Sequence, residues 1–564
     1  MRTVSVSLDP FMIGKKTVGV ALFLAMALGA MPMTSADAAS LADTDPGREL
    51  RDMQERIEQE RVLQEMEERR QRGETGIEDG RQEEKPDAPA VKFVLQSVEA
   101  DASDILPGEV VEEAAAPYIG REISIEDLYK IVEAINAWYS QNHYLTCRAY
   151  LPPQTIHEGR VRIALFEGRN GALTVEGNRT TEESYITDRL GIRPGRIENM
   201  KELDRRLQWF NGTNDVNLRI VLQAGAEPGT TDYVIKATEP RRDVWTIYAD
   251  RAGNETTGVW REGLFYTNRS LSGHRDRLSL GYIRAKGLDS FSAGYNFVLG
   301  RSGTRLSLDY STNATEVIDG LYVEWDIPVK GHAYSYGLTL TQPLAASNAV
   351  KSEASLSVSR SKSYTDIFGL PIIGDIFSDV TFAVSRTNYG KGWAFYRRHA
   401  LTWGNWDSDS EYQVRKSKNY FFYHLNSIYQ RAAQHGQLFT ARVSGQWSAT
   451  EDLRPSRQFF LGGVYSIRGY PENELGSDSG LLGSVEYSVP VCRGVSLYGF
   501  LDAGTLWGLE LLHHHTLIGT GLGLRAKLGQ VCSLDVSVGF PLEREVNNEV
   551  VSGSRVHMSM TASF

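Results

Sequence analysis

The chain is poor in cysteine, in basic blocks and in long apolar runs. Only three cysteines occur in 564 residues, Cys147, Cys492 and Cys532. That is too few for a disulfide scaffold. Cys492 and Cys532 fall near turns on one rim of the expected sheet, two strands apart. At ~4.8 Å per strand they are too far apart for a disulfide, which needs Cα atoms within ~7 Å, so free thiols are expected. The formal net charge of −11, with no basic half or Lys/Arg cluster, excludes a nucleic-acid partner. Beyond the first forty residues no stretch is apolar enough to cross a bilayer as a helix, so membrane insertion of the mature chain must be by barrel.

Catalytic constellations are missing too. His513-His514-His515 could ligate a metal but has no clear Cys or carboxylate partner and reads as a solvated loop. Gly519, Gly521 and Gly523 lack the following helix of a nucleotide loop and fit close strand packing instead. The reading is of a protein that is not an enzyme and carries no cofactor. Asp250 and Glu262 are read as lumen residues.

What is present begins with a secretory signal over residues 1–38. Arg2, Lys15 and Lys16 precede the apolar run Val18 to Met31, and Ala36-Asp37-Ala38 is a small-x-small cleavage site. A helix is expected over 47–72, dense in Glu, Arg and Gln, with a thin stripe of Leu50, Met53, Ile57, Leu63 and Met66. Such a helix is either solvated, alone or in a coiled coil, or held inside a polar cavity, and the thin stripe by itself slightly favours the solvated reading. Residues 73–91 read as a linker.

Two α+β units follow, 92–168 and 169–240. In the first, Phe93 to Val98 is a strand and Ser124-Ile125-Glu126-Asp127 opens a helix with capping residues. The buried face of that helix is Leu128, Ile131, Val132, Ile135 and Trp138. Leu145 to Leu151 and Gly159 to Phe166 pair across Pro152-Pro153. The order recurs in Leu173–Gly177, helices near 182–190 and 200–211, Asn217–Gln223 and Tyr233–Thr238, an internal repeat.

From about residue 241 to Phe564 the period is two. Leu278, Leu280 and Tyr282 alternate with Ser279 and Gly281; Phe439, Ala441, Val443, Gly445 and Trp447 alternate with polar residues; Val556, Met558, Met560, Ala562 and Phe564 alternate with Arg555, His557, Ser559, Thr561 and Ser563. Apolar-out, polar-in strands fit a transmembrane β-barrel with a wet interior. On one strand Phe500, Asp502 and Gly504 share a face. Asp502 must look into the lumen, since facing lipid costs several kcal/mol, and Arg468 is a candidate cation for it.

Several motifs carry a resemblance. Tyr139-Ser140-Gln141-Asn142-His143-Tyr144-Leu145-Thr146 followed by Ala149-Tyr150-Leu151-Pro152-Pro153-Gln154 resembles the first POTRA domain of two-partner secretion transporters, the haemolysin-activator and filamentous-haemagglutinin exporters. Leu222-Gln223-Ala224-Gly225 and Thr231-Asp232-Tyr233 are similar to the end of their second POTRA domain, with Ala224 in place of the usual proline. Arg468-Gly469-Tyr470 is similar to the tip of their sixth extracellular loop, with Ile467 where many relatives have valine. Phe500-Leu501-Asp502-Ala503-Gly504 resembles the barrel motif that receives that tip.

The resemblance implies two periplasmic POTRA domains, a barrel of about sixteen antiparallel strands and an N-terminal plug helix including Leu50, Met53 and Ile57. It also implies an inward-folding loop, 464–480, locked by Arg468, Gly469 and Tyr470 on Phe500, Asp502 and Gly504. Client recognition would fall to Tyr139, Tyr144, Leu151, Pro152, Pro153 and Gln154. Phe564 would be the signal to the barrel-assembly machinery. The implied function is ATP-independent export of one large exoprotein (haemolysin, adhesin or contact-dependent toxin) across the outer membrane, in contact with its lipids. An assembly insertase and a passive solute porin are the rival readings.

Overall fold

The computed structural model describes residues 44–71, 77–79, 92–508, 515–529, 531–546, 549–551 and 553–564. The expected signal segment, most of the linker and His513-His514 lie outside these. Among the described residues no helix is long and apolar enough to cross a membrane, and all three cysteines are free.

Sixteen strands among the described residues close into an antiparallel barrel, from Asp243–Asp250 to Arg555–Ser563. The first and last pair directly, Thr246 opposite Ser563 and Asp250 opposite Ser559. Phe564 continues the seam by exchanging backbone hydrogen bonds of 2.9 Å with Trp245. The period-2 residues point as read. Leu264, Leu280, Tyr282, Leu308, Tyr310, Val443, Trp447, Leu501 and Met560 are exposed on the outer wall, where a bilayer covers them. Glu262 is a correction: it is exposed on the face opposite its neighbour Arg261, whereas Asp250 is buried and pairs with Arg261 at 2.7 Å.

The first α+β unit packs helices Gly108–Ala115 and Ile125–Gln141 on the three-stranded sheet of Ser97–Ala100, Arg160–Glu167 and Cys147–Tyr150. The expected strand Phe93–Val98 is split. Lys92–Val94 pairs with Glu122–Ser124, Ser97–Ala100 pairs with Arg160–Glu167, and Leu95 at the break is fully buried in the core. On Ile125–Gln141 the residue that continues the buried face is Tyr139, 1% exposed, while Trp138 is only partly buried. Ile135 and Tyr139 are four apart and therefore stack on one face. The helix Gly108–Ala115, which buries Val111 and Ala115 in the core, is an element the sequence reading does not contain.

The second unit sets helices Glu183–Leu190 and Met200–Thr213 against strands Arg169–Glu176, Asn217–Ala224 and Thr230–Thr238. It is fastened to inner turns of the barrel. Arg275 donates to Asp215 at 2.6 and 2.9 Å, Trp209 Nε1 to the Ser302 carbonyl at 3.1 Å, and Arg305 to the Thr213 carbonyl. Burial disfavours the Asp215 carboxylate, but the guanidinium groups of Arg275, Arg277 and Arg269 together outweigh it and hold the pKa below the ordinary range.

Helix Ile125–Gln141 opens on a complete capping box: Ser124 Oγ accepts from the Asp127 amide, and the Asp127 carboxylate accepts from the Ser124 amide at 3.1 Å. The bond from Lys130, with those from Ser124, lowers the Asp127 pKa from 3.8 to about 2. A depressed carboxylate contributes stability that is present above the unfolded value and lost as pH falls through the folded one. Amide exchange of the first helical turn, corrected for intrinsic rates, should thus be flat above pH 3.8 and lose protection towards about 2. Asp127→Ala should remove that pH dependence.

Candidate functional site: the occupied lumen

The helix Pro46–Gln71 lies inside the barrel and, at ~1.5 Å per residue, extends about 39 Å, enough to run from one mouth to the other. At the outer end the Pro46 carbonyl accepts from Asn313 at 2.8 Å and the Gly47 amide donates to Ser363 at 3.2 Å. At the inner end Lys351 pairs with Glu65 at 2.6 Å, Lys527 with Glu67 at 2.8 Å, and Arg69 donates to the Gly212 carbonyl at 2.8 Å.

Apolar packing is confined to two patches. Leu50 and Met53 meet Ile283 and Ala333; Val62 and Met66 meet Ala394, Tyr396 and Ile428. Ile57, expected with Leu50 and Met53, is 39% exposed and takes no part in these patches, and Val62 replaces Leu63 as the deeper residue. Most of the helix is held by polar groups that a stripe of apolar residues could not reveal.

The connection between strands Leu438–Ser448 and Ser479–Cys492 folds inward as a short hairpin, Phe459–Leu461 against Leu475–Ser477. Its tip brings Arg468 to Asp502. Asp502 has no solvent exposure, and its two oxygens accept from Arg468 Nε at 2.8 Å, Arg468 Nη2 at 2.9 Å, the Arg468 amide at 3.1 Å and Ser484 Oγ at 2.7 Å. Two parallel guanidinium bonds match a carboxylate in both charge and geometry. The guanidinium also lies 3.5 Å from the Phe500 ring centroid and reaches Glu486 at 3.2 Å. Arg525 holds Glu486 from the other side at 2.7 Å.

Glycines make the approach possible. Gly469 has φ +105°, a region an L side chain rarely adopts. A Cβ on Gly519 would stand 2.1 Å from the Arg468 carbonyl, and one on Gly539 2.5 Å from the Gly469 nitrogen. Gly521 and Gly523 instead make room for the rings of Phe500 and Tyr498, and Gly504 for Leu461. The Gly469 amide donates to His557 Nε2 at 3.4 Å, and buried Tyr470 donates to the Ile518 and Glu543 carbonyls at 3.2 and 3.0 Å. Sequence reasoning missed Ser484, Glu486, Arg525 and His557. Their one signal was a polar residue on the inward phase of a strand.

Loop and helix are joined as well. Arg56 pairs with Glu472 at 2.9 Å and lies 4.7 Å from the Tyr465 ring centroid; Asn473 donates to Asp52 at 2.9 Å and Tyr465 to Glu60 at 3.0 Å.

The residues expected to meet a client lie apart, in the first α+β unit, and differ in access. Tyr139 is a core residue whose hydroxyl donates to Glu167 at 2.8 Å; a binding partner cannot reach it, which corrects its assignment. Tyr144 stacks on Trp138 and Leu151 packs on the core edge. Pro153 and Gln154 are exposed, Pro152 half-buried, and Gln154 ties its loop to the Arg162 backbone at 2.7 and 2.8 Å.

A sequence model of the haemolysin secretion/activation proteins ShlB/FhaC/HecB matches residues 229–526, and one of the ShlB-type POTRA domain matches residues 93–168. The chain belongs to this family. The heme/hemopexin transporter protein HuxB of Haemophilus influenzae is 23% identical over 468 residues, covering 76% of this chain and 80% of its own. The outer membrane transporter CdiB of Dickeya dadantii is 23% identical over 497 residues, covering 83% and 86%. In fold the chain is similar to CdiB from Acinetobacter baumannii, with TM-score 0.64 at 16% identity, over 91% of this chain and 99% of that one. BamA from Haemophilus ducreyi lacking POTRA domains 1-3 gives 0.51 at 13%, over 84% and 100%. This two-partner secretion transporter has its barrel in the outer membrane and its POTRA units on the periplasmic side. Members of the family are transporters, and neither the insertase nor the porin reading is favoured.

Asp502→Asn keeps the shape of the site while leaving Arg468 a buried cation short of its main partner. Breaking such a pair from one side costs about 3–5 kcal/mol. The tip of the loop should then become sensitive to added protease in intact cells, with the barrel still folded by its gel mobility.

Proposed function

We propose that the transporter exports one large exoprotein, of the haemolysin, adhesin or contact-dependent toxin type, through a lumen that the helix Pro46–Gln71 plugs at rest. The observation that carries this reading is the polar attachment of that helix from one mouth to the other, above two units with strand edges. Extended client segments add to those edges by main-chain hydrogen bonds, and side-chain pockets select among them. Tyr144, Leu151, Pro152, Pro153 and Gln154 border one such region. The heme/hemopexin transport for which the relative HuxB is named is compatible with a secreted partner of this kind.

The plug is removable because most of its attachments are hydrogen bonds and ion pairs, which water replaces at a net cost of about 0.5–1.5 kcal/mol for a neutral bond and about 1.5–3 kcal/mol where a charged group takes part. Arg468 on Asp502 acts as a lock that keeps the inward loop seated and, through Glu472, Asn473 and Tyr465, supports the plug. No ATP and no enzymatic step is involved; folding of the client outside biases its passage. The outer apolar band contacts membrane lipid, and the strand ending at Phe564 presents the chain to the barrel-assembly machinery.

Two measurements test this. Arg468→Ala should abolish secretion of the exoprotein encoded beside this gene while the barrel still assembles; undiminished secretion would remove the lock from the mechanism. Deleting residues 47–72 should turn a largely closed channel in planar bilayers into a steadily conducting one. An unchanged trace would mean that the helix does not occlude the pore.

A further inference from the structure

On the outer wall of the barrel two arginines stand opposite each other on neighbouring strands. Between Leu370–Gly390 and Trp393–Ser408, Thr387 is opposite Tyr396 and Arg386 is opposite Arg397. Tyr396 packs with Val62 and Met66 of the lumen helix, and Thr387 is opposite Lys351, which holds Glu65 at the inner end of that helix. Both residues therefore face the lumen, and alternation turns Arg386 and Arg397 outwards, to the side that meets lipid. His399 faces the same way, is exposed, and shares a hydrogen bond of 2.7 Å with the Tyr423 hydroxyl.

Their depth follows from the aromatic residues around them. Trp393 and Trp403 are both exposed on this outer face, and Arg397 lies between them, nearer Trp393. At ~3.3 Å per residue it stands about 13 Å along the strand from Trp393, less in depth because strands tilt. At the inner interface the rings of Trp393, Phe395 and Phe439 gather on Tyr429, with centroids 6.2 to 6.4 Å away. Such a belt marks the level of the headgroups. The Arg397 guanidinium turns back to this level and lies 5.4 Å from the Phe395 ring centroid.

Like charges directly opposite on a sheet repel, and an arginine facing lipid is costlier the deeper it lies. Lumen arginines of this chain meet carboxylates. Among the described residues Arg386 and Arg397 have no ion pair and no side-chain hydrogen bond. Their neutralising partner must come from outside the chain. Ser352 is opposite Arg386 and Ser427 opposite Arg397 on the two flanking strands, small residues that leave room beside the pair. Towards the membrane centre Phe382 and Leu401 are exposed. Lys391, Arg431 and Arg493 add positive charge at the inner rim, and residues 347–349, 391–392, 433–437 and 492–494 of its turns contain no Asp or Glu. The charge calls for an anion, and the apolar surround calls for one that carries acyl chains.

We propose that Arg386 and Arg397 together bind the phosphate of an anionic glycerophospholipid in the inner leaflet of the outer membrane. Each guanidinium donates to phosphate oxygens, a fork geometry that suits them, and one anion relieves the repulsion between two cations. The acyl chains lie along Phe382, Val384 and Leu401. The bound lipid holds this side of the barrel at a fixed depth, on strands that also carry Lys351 and Tyr396 against the inner end of the lumen helix. The site depends on the membrane setting alone and not on the identity of the exported client.

The test uses the full-length chain in detergent, given equal amounts of phosphatidylglycerol and phosphatidylethanolamine, with bound lipid read by native mass spectrometry. The parent should retain phosphatidylglycerol about tenfold over phosphatidylethanolamine. R386Q/R397Q should lose that preference with the barrel still folded by its gel mobility, whereas K391Q/R431Q, which changes only rim charge, should keep it. Excess inorganic phosphate should leave the lipid in place. Equal retention of the two lipids by the parent, a reading that needs no variant, would overturn the proposal. So would a preference that survives in R386Q/R397Q or vanishes equally in K391Q/R431Q. Displacement by inorganic phosphate would make this a site for free anions and not for lipid. A dimer of the parent that R386Q/R397Q dissolves, without lipid preference, would give the pair to a carboxylate of a second copy.

Discussion

Asp502 is a carboxylate with no solvent exposure in the wall of a membrane barrel. Several kcal/mol of desolvation cost must be offset there, and only a well-placed cation does so. No neighbouring strand supplies it directly. It comes from Arg468, at the tip of a connection and 34 residues upstream, so neutralising Asp502 requires that connection to fold into the lumen. The small residues then follow as a consequence. Gly469, Gly519 and Gly539 let backbone meet backbone where any Cβ would intrude.

With the loop inside, the lumen helix gains partners it would otherwise lack. Glu472, Asn473 and Tyr465 meet Arg56, Asp52 and Glu60, and the remaining attachments are to polar wall residues. A plug built on a wide apolar stripe would be dry and permanent. This one has two small apolar patches and a polar length between them, which suits an element that must hold and also leave. The inner end of the same helix reaches the second periplasmic unit through Arg69, so barrel, helix and POTRA unit share one set of contacts.

Much of this was legible before any coordinates. Alternation of period two marked the barrel, a repeated strand–helix–strand–strand order marked the two units, and Arg468-Gly469-Tyr470 with Phe500 to Gly504 pointed to the family. The errors have local causes. Trp138 was placed on the buried face because it is large and apolar, yet Tyr139 lies four residues after Ile135 and takes the place. Ile57 fits a stripe on paper but faces away from the patches that the wall offers. Phe93 to Val98 reads as one strand, and only burial of Leu95 between two sheets breaks it.

The sequence by itself determined most of the strands and helices, which strand face meets lipid, and which motifs belong together by family. Those properties depend on near neighbours along the chain, where the period of side-chain direction is set by backbone geometry. Only the tertiary structure decided that a Glu- and Arg-rich helix is enclosed and not solvated. It also decided that Glu486, Arg525 and His557 surround the Arg468 tip, and that Ile77–Asp79 is a strand at all. These facts arise where distant segments bring complementary charge or an open edge to each other, and no local pattern records which surfaces will meet.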